Sequence, residues 1–167
     1  MNGIKILGKE NVSESESKAQ LSILDFGFID ILQNIEELIS DLYWAHTGII
    51  YSFPENLTQE QYHEIKNSLE EYMLHEDKSK QIQYMHGGFI ENFGVYIFSD
   101  WVELAGYEDI QKLKTFDPAS PEALNENAVV YFKCVDAAYW EVYAKNEEII
   151  KILEAKFKFT ESIKLEI

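Results

Sequence analysis

Apolar residues recur at helical spacing in three stretches of the chain, and each stretch predicts an amphipathic helix. The first covers residues 29–43. The second begins at Thr58, which is placed to cap the helix with Gln61 three residues later, and continues to about residue 76. The third covers residues 147–157 and follows Asn146, a good capping residue. The apolar positions expected to face the core are Ile31, Leu32, Ile35, Leu38, Ile39 and Leu42 in the first helix, Tyr62, Ile65, Leu69, Tyr72 and Met73 in the second, and Ile149, Ile150, Ile152, Leu153 and Phe157 in the third.

The stretches between these helices are rich in β-branched and aromatic residues, which is typical of strands. Strands are predicted at residues 4–7, 49–53, 82–85, 89–93, 95–104, 128–134 and 139–143, with an edge strand at 162–167. The short loop at 135–138 predicts an antiparallel hairpin, and a short helix is predicted at 107–116, ahead of a turn at 117–121. Separate runs of strands and helices indicate an α+β fold, a mostly antiparallel sheet with three to four helices packed against it.

The chain is expected to fold as a single domain over residues 1–167. Its hydrophobic content of 46% and aromatic content of 14% are ample for one core, so the acidity of the chain does not indicate disorder. Residues 10–19 are polar, serine-rich and aperiodic, which predicts a mobile connection after the first strand.

The formal net charge of −16 is concentrated in the middle of the chain. Residues 28–126 contain nineteen carboxylates and five lysines, whereas the two flanking parts each have a net charge of only −1. All fourteen basic residues are lysine. A surface this acidic repels nucleic acid and anionic lipid, and it favours encounter with basic surfaces.

Two acidic stripes follow the first two predicted helices, opposite their apolar positions. They consist of Asp30, Asn34, Glu37 and Asp41 on the first helix and of Glu60, Glu64, Asn67 and Glu71 on the second. A charged helix face is most often only a solvated surface. Exposed helices usually mix Glu with Lys, however, because like charges at i, i+4 cost about 0.2–0.5 kcal/mol per pair. The first helix has no Lys and the second has only Lys66, which favours a surface that a basic partner neutralises.

The candidate partner-binding residues combine the acidic stripes with a neighbouring acidic and aromatic pair. They are Asp30, Glu37, Asp41, Glu60, Glu64, Glu71, Asp100 and Trp101. Exposed Tyr and Trp side chains are good anchors for a protein partner.

Candidates for catalysis are few. The four histidines do not form a metal-binding motif, and no Cys pair or calcium loop occurs, so we assign no catalytic residue, no metal site and no cofactor. Cys134 is interpreted as a small buried residue of a strand. His86 beside Gly87 and Gly88 is the main alternative, because a glycine pair allows a ligand to approach the backbone, although such a pair is more often a turn or bulge.

Two classes of partner are disfavoured by the composition. Phosphate recognition depends on Arg forks and basic stripes, and the chain has neither, so we expect no nucleic-acid binding. No stretch approaches twenty apolar residues and no apolar segment follows the first lysine, so we expect no membrane association and a cytoplasmic location.

The chain resembles the bacterial immunity proteins that neutralise a cognate toxin, such as those of contact-dependent growth inhibition systems. The resemblance lies in its small acidic α+β form without a catalytic motif, and in the segment VYFKCVDAAYWEVYA at residues 130–144, a strand–Asp–strand hairpin that leads into a capped helix. It implies one-to-one binding of a basic toxin domain, often a nuclease, through complementary charges. It implies no particular site residue.

The leading hypothesis is therefore an immunity or inhibitor protein that binds a basic toxin domain, and not an enzyme. One alternative is a small hydrolase or small-molecule-binding domain with its site near His86, Gly87, Gly88 and Asp100. A further alternative is an adaptor or homodimeric structural protein. The choice between monomer and homodimer stays open at this point.

Overall fold

The computed structural model describes residues 1–8, 24, 26–98, 101–136 and 138–167. Its strands are β1 (Asn2–Leu7), β2 (Tyr43–Thr47), β3 (Ile50–Tyr51), β4 (Met73–Asp77), β5 (Ile82–Met85), β6 (Ile97–Phe98), β7 (Glu103–Tyr107), β8 (Val130–Val135), β9 (Tyr139–Ala144) and β10 (Thr160–Lys164). Its α-helices are α1 (Phe28–Ile39), α2 (Gln59–Glu71), α3 (Phe89–Phe93), α4 (Pro121–Asn127) and α5 (Glu147–Lys156). Two 3₁₀ helices cover Gly94–Tyr96 and Ile110–Thr115.

Eight of the strands form one antiparallel sheet in the order β10-β1-β9-β8-β7-β2-β5-β4. The other two, β3 and β6, pair with each other. Because β10 and β4 have only one neighbour each, they are the edges of the large sheet. The fold is therefore α+β with an antiparallel sheet, as the hydrophobic pattern predicts.

Helices α1, α3 and α5 cover one face of the sheet, and α2 packs more loosely on the same side. Trp44, Phe132 and Trp140 point to this helix-covered face, where they join the larger of two hydrophobic clusters. The neighbouring strand residues, such as Ala45 and Tyr131, point to the opposite face because side chains alternate along a strand. That face is covered in part by α4 and the second 3₁₀ helix. The described residues form one domain around the eight-stranded sheet.

Helix α1 is held on the sheet by the ring of Phe28. This ring stacks on Trp140 with a centroid distance of 4.5 Å and an interplanar angle of 10°. It also meets the edge of Phe132 at 5.3 Å. Phe28 and Trp140 are 2% and 1% exposed. Apolar residues at helical spacing extend this contact along α1, namely Ile31, Leu32, Ile35 and Ile39.

The two predicted helix caps and the predicted hairpin are confirmed. Thr58 accepts a hydrogen bond from the Gln61 amide, and the Gln61 side chain accepts one from the Thr58 amide, so the predicted cap of α2 is formed. Asn146 caps α5 by accepting a hydrogen bond from the Glu148 amide at 2.9 Å. Strands β8 and β9 form the predicted antiparallel hairpin.

Two of the predicted helices are too long. The first ends at Ile39, because residues 43–47 form β2 between β5 and β7. The second ends at Glu71, because residues 73–77 pair with β5 as the edge strand β4. In both cases pairing with a distant strand outweighs the local helical pattern. The apolar residues assigned to the second predicted helix are also less buried than predicted: Ile65, Leu69, Tyr72 and Met73 are half-buried and Tyr62 is exposed.

The strand predicted at 89–93 is wrong, since these residues form α3. The strand predicted at 95–104 is only partly right, because Gly94–Tyr96 is a 3₁₀ helix and Ile97–Phe98 and Glu103–Tyr107 are two separate strands. The five α-helices of the described residues exceed the predicted three to four. The additional helix α4 has a clear start signal, with Ser120 as N-cap and Pro121 at the first helical position. The connection predicted at 10–19 lies outside the described residues.

We expect Phe28→Ala to destabilise the protein by about 3–5 kcal/mol, because it removes the ring that packs between Trp140 and Phe132 and leaves a cavity. Urea unfolding followed by Trp fluorescence measures this change. The matched control is Tyr62→Ala, whose ring is 42% exposed and should cost less than about 1 kcal/mol. Equal costs for the two variants would contradict the assigned role of Phe28.

Candidate functional site

The acidic side chains of α1 and α2 lie on the outer surface of the helix layer. They are exposed, whereas the apolar side chains on the other side of each helix contact the core. The set comprises Asp30, Glu36 and Glu37 on α1, Asp41 just after it, and Glu60, Glu64, Glu70 and Glu71 on α2. We call these eight residues the acidic surface.

No residue of the acidic surface forms an ion pair with another described residue. The ion pairs between described residues lie elsewhere: Lys5 with Glu161, Lys78 with Glu76, Lys133 with Glu103, and Lys151 with Glu147. Helix α5 illustrates the contrast, because its Lys151 lies one turn from Glu147 with an N···O distance of 3.9 Å. The acidic surface therefore keeps its negative charges without internal compensation.

The opposite face of the sheet balances its charges across the strands. Strand register aligns Glu161, Lys5, Glu141, Lys133 and Glu103 in one row of alternating sign. The ends of the row have N···O distances of 3.6 Å, between Lys5 and Glu161 and between Lys133 and Glu103. With fourteen lysines against thirty carboxylates, the chain places two lysines in this row, whereas α1 has none and α2 has only Lys66.

A cleft of about 120 Å³ opens between α1 and α3, next to the acidic surface. Its apolar lining includes Ile29, Leu32 and Ile90, and its carboxylates are Glu36 of α1 and Glu91 of α3. An apolar floor with two carboxylates suits a Lys or Arg side chain, which combines an apolar stem with a charged end.

A second, wider groove of about 730 Å³ follows one side of α2. Its aromatic lining comes from Tyr51, Phe53 and Tyr62. The Phe53 ring stacks on Tyr51 at 5.9 Å and meets the Tyr62 ring edge-on at 5.7 Å. Grooves lined by Tyr and Phe are frequent sites of anchoring contacts in protein interfaces.

The structure places the predicted site residues in three different situations. Glu37, Asp41, Glu60, Glu64 and Glu71 are exposed members of the acidic surface. Asp30 is exposed too, but its carboxylate accepts a 2.7 Å hydrogen bond from the Gly27 amide and so helps to start α1. Trp101 is 63% exposed in the loop before β7. Asp100 lies outside the described residues.

Sequence reasoning missed Glu36 and Glu91, which are the two carboxylates of the α1–α3 cleft. Glu91 was hidden because residues 89–93 read as a strand rather than a helix beside α1. Glu36 lies one position before Glu37, a member of the predicted stripe. The clustered carboxylates at 36–37 were the signal that could have pointed to it.

The glycine pair of the alternative site forms a turn, which is the more common role of such a pair. Gly87 and Gly88 form the turn that starts α3, and Gly87 packs closely enough that a Cβ would lie 3.2 Å from the Leu42 carbonyl oxygen. Gly87 lines the α1–α3 cleft, whereas His86 is exposed with its ring 5.8 Å from Tyr43. The close approach made by this glycine is to the protein's own backbone.

Other chemistry is limited in the part of the chain that the structure describes. Within it, no cluster of three or more His, Cys, Asp or Glu side chains is placed to hold a metal ion. Cys134 is buried in β8 at 1% exposure. No helix of the described residues combines the length and apolar character needed to cross a bilayer.

His46 of β2 is the buried polar side chain among the described residues, at 1% exposure. Neither ring nitrogen has a hydrogen-bond partner within the described part of the protein, and the ring stacks on Phe89 at 5.7 Å. Burial disfavours the charged imidazole and lowers the pKa of His46 from 6.5 to about 3. At neutral pH the imidazole is therefore uncharged.

We expect His46→Phe to remove an acid-sensitive part of the stability. The pKa is lower in the folded protein than in the unfolded chain, so this contribution is complete above pH 6.5 and is lost as the pH falls toward 3. The loss should be about 1.4 kcal/mol for each pH unit below 6.5. Between pH 7.5 and pH 5, the free energy of unfolding measured with urea should fall by about 2 kcal/mol more for wild type than for His46→Phe. His63→Phe, at an exposed position, should keep the wild-type pH dependence, and equal behaviour of both variants would contradict the assignment.

We also expect the acidic surface to cost stability. Glu60 and Glu64 are one turn apart on α2 and repel each other. Glu64→Gln should remove the repulsion, and Glu64→Lys should add an attraction, for a total stabilisation of about 0.5–1 kcal/mol. Urea unfolding at low salt measures the series. A loss of stability in the order Glu, Gln, Lys would contradict the claim that Glu64 is retained at a local cost.

Comparisons with the models of known protein families, with curated proteins and with solved structures give no match for this chain. The functional conclusion therefore depends on the acidic surface and on the clefts beside it.

Proposed function

We propose that this protein binds a basic protein partner through its acidic surface and acts as an inhibitor of that partner. One observation carries the proposal: the eight exposed carboxylates of the acidic surface have no ion pairs with described residues and one lysine, Lys66, on their helices. The strand row on the opposite face and α5, by contrast, alternate lysines with their carboxylates. Carboxylates held together without compensation are destabilising. A basic partner that neutralises them supplies a reason for their retention.

The arrangement suits a two-part mode of recognition. The negative charges of the acidic surface attract a basic protein over a distance of about one Debye length and so speed its association. The α1–α3 cleft then takes one Lys or Arg side chain, with its stem against Ile90 and its charged end near Glu36 and Glu91. Desolvated contacts of this kind, rather than rim charges, set the lifetime of a complex.

The partner class that fits best is a toxin domain that acts on nucleic acid. Such a domain needs a basic surface to hold the phosphate backbone. A protein with exposed carboxylates in place of phosphates can occupy that surface and exclude the substrate. The resemblance of the chain to toxin-immunity proteins supports the same partner class.

We expect reversal of charge on the acidic surface to abolish partner capture. The test variant carries Glu37→Lys, Asp41→Lys, Glu60→Lys and Glu64→Lys, and its control carries Glu108→Lys, Glu122→Lys, Glu154→Lys and Glu166→Lys at exposed positions outside the acidic surface. Both variants change the net charge from −16 to −8, so they differ only in where the charge lies. Each protein is immobilised and exposed to a lysate of the source organism at low salt, and the bound proteins are eluted with a salt gradient and quantified by mass spectrometry.

Wild type and the control should each capture the same basic protein in stoichiometric amount, and the test variant should lose it. Equal loss of capture in both quadruple variants would show that net charge alone is responsible, and wild-type capture by both would show that these carboxylates are not needed. Either result would contradict the proposed surface. The inhibitor role is tested separately: the captured protein should arrest growth when expressed alone in a bacterial host and be harmless when expressed with the wild-type chain. A captured protein that is harmless alone would contradict the toxin assignment.

A further inference from the structure

A polar cavity of about 270 Å³ lies at the end of β2, apart from the acidic surface. Its lining includes the buried His46 together with Gly48, Glu76, Lys78, Gln81 and Gln83. Buried polar groups in folded proteins are almost always hydrogen-bonded, so each unpaired one needs an explanation. The two unpaired nitrogens of His46 are therefore a reason to consider this cavity as a ligand site.

Strand pairing builds a row of hydrogen-bonding groups along one side of the cavity. Glu76 of β4 is opposite Gln83 of β5, and Gln83 is opposite His46 of β2. Cross-strand neighbours have their Cβ atoms about 4.5–5.5 Å apart on the same face of the sheet. A carboxylate, an amide and an imidazole thus follow one another from the sheet edge toward the core.

The rim of the cavity is shaped by two turns. In the β4–β5 turn the Asp77 carboxylate accepts hydrogen bonds from the Ser79 amide at 3.1 Å and the Ser79 hydroxyl at 2.6 Å. Gln81 in the same turn has φ of 56°, and Gly48 after β2 has φ of 62°. The left-handed conformation at Gly48 suits a residue without a Cβ. These hydrogen bonds and turn conformations fix the backbone beside the cavity.

The chemistry of the lining favours a cationic ligand with several donors. Glu76, Gln81 and Gln83 all offer acceptor oxygens, and the uncharged imidazole offers one acceptor nitrogen. Lys78 is the cation of the lining, and its ammonium nitrogen is 3.9 Å from a carboxylate oxygen of Glu76. Because the Lys78 side chain is mostly exposed, another cation can replace it at the Glu76 carboxylate. An anion would meet both Glu76 and the strongly negative chain. Acceptors spaced along a row match the five N–H donors of a planar guanidinium group better than they match a compact ammonium group.

We propose that this cavity binds a guanidinium group, which donates hydrogen bonds to Glu76, Gln83 and His46. The group has two sources, an arginine side chain of another protein or a free small molecule that carries guanidinium. The proposal is independent of the acidic surface, because none of its residues belongs to that surface.

The test uses the full chain labelled with ¹⁵N at histidine and glutamine side chains. Methylguanidinium chloride is titrated at constant ionic strength, with methylammonium chloride as the control cation. We expect saturable shifts of the His46 ring nitrogens and the Gln83 amide with methylguanidinium, and weaker binding of methylammonium. Glu76→Gln should weaken methylguanidinium binding about tenfold, since it removes a charge-assisted hydrogen bond. Glu70→Gln, on the outer side of α2, should bind as wild type does.

The absence of saturable shifts in the wild-type protein would overturn the proposal, and so would equal affinities in wild type, Glu76→Gln and Glu70→Gln. Methylammonium binding as tight as methylguanidinium binding would overturn the choice of guanidinium. If Glu76→Gln is not folded, Gln83→Leu replaces it, with the same expected weakening and His46 as the reporter.

Blocked arginine (N-acetyl-arginine N-methylamide) that binds at least as tightly as free arginine identifies a protein side chain as the source. Tighter binding of free arginine identifies a small molecule.

Discussion

The stacked rings of Phe28 and Trp140 decide which side of α1 faces the sheet, and the position of the acidic surface follows from that choice. An amphipathic helix has one apolar stripe, and the rotation that buries it sets the direction of every other side chain. With Phe28 against Trp140 and Phe132, the residues Glu36 and Glu37 must face outward. Two large rings packed against Phe28 make any other rotation costly, because the buried aromatic area would be lost.

The same packing leaves the carboxylates of α1 on the outer surface of the helix layer. Charge on the opposite face of the sheet is arranged in an alternating row, from Glu161 through Lys5 to Glu103, where each lysine lies between two carboxylates in the strand register. On the helix-covered side, α5 has two lysines among its three carboxylates, whereas α1 has no lysine and α2 has only Lys66. Isolated like-charge pairs cost only tenths of a kcal/mol, so the domain tolerates them. The distribution of charge over the surface, rather than the net charge, distinguishes a binding surface from a protein that is acidic throughout.

His46 is a second place where the structure departs from what stability alone would favour. A buried imidazole without hydrogen bonds is less favourable than an apolar ring of similar shape, and Phe89 already provides a stacking partner. Departures of this kind concentrate at functional sites, because function selects residues that packing would not. The polar row from Glu76 through Gln83 leads to His46, so this unfavourable side chain lies beside a cavity and not in a closed core.

Local patterns in the sequence were enough to determine the fold class, the caps at Thr58 and Asn146, the β8–β9 hairpin and the acidity of α1 and α2. Each of these depends on residues close together in the chain, where helical spacing, capping and turn chemistry act directly. Only the tertiary structure decided that Met73–Asp77 is a strand, because its partner Ile82–Met85 is itself held by β2. Only the tertiary structure brought Glu91 beside Glu36 and placed His46 next to Gln83. Contacts between distant segments depend on the strand order of the whole sheet, which no local pattern in the sequence specifies.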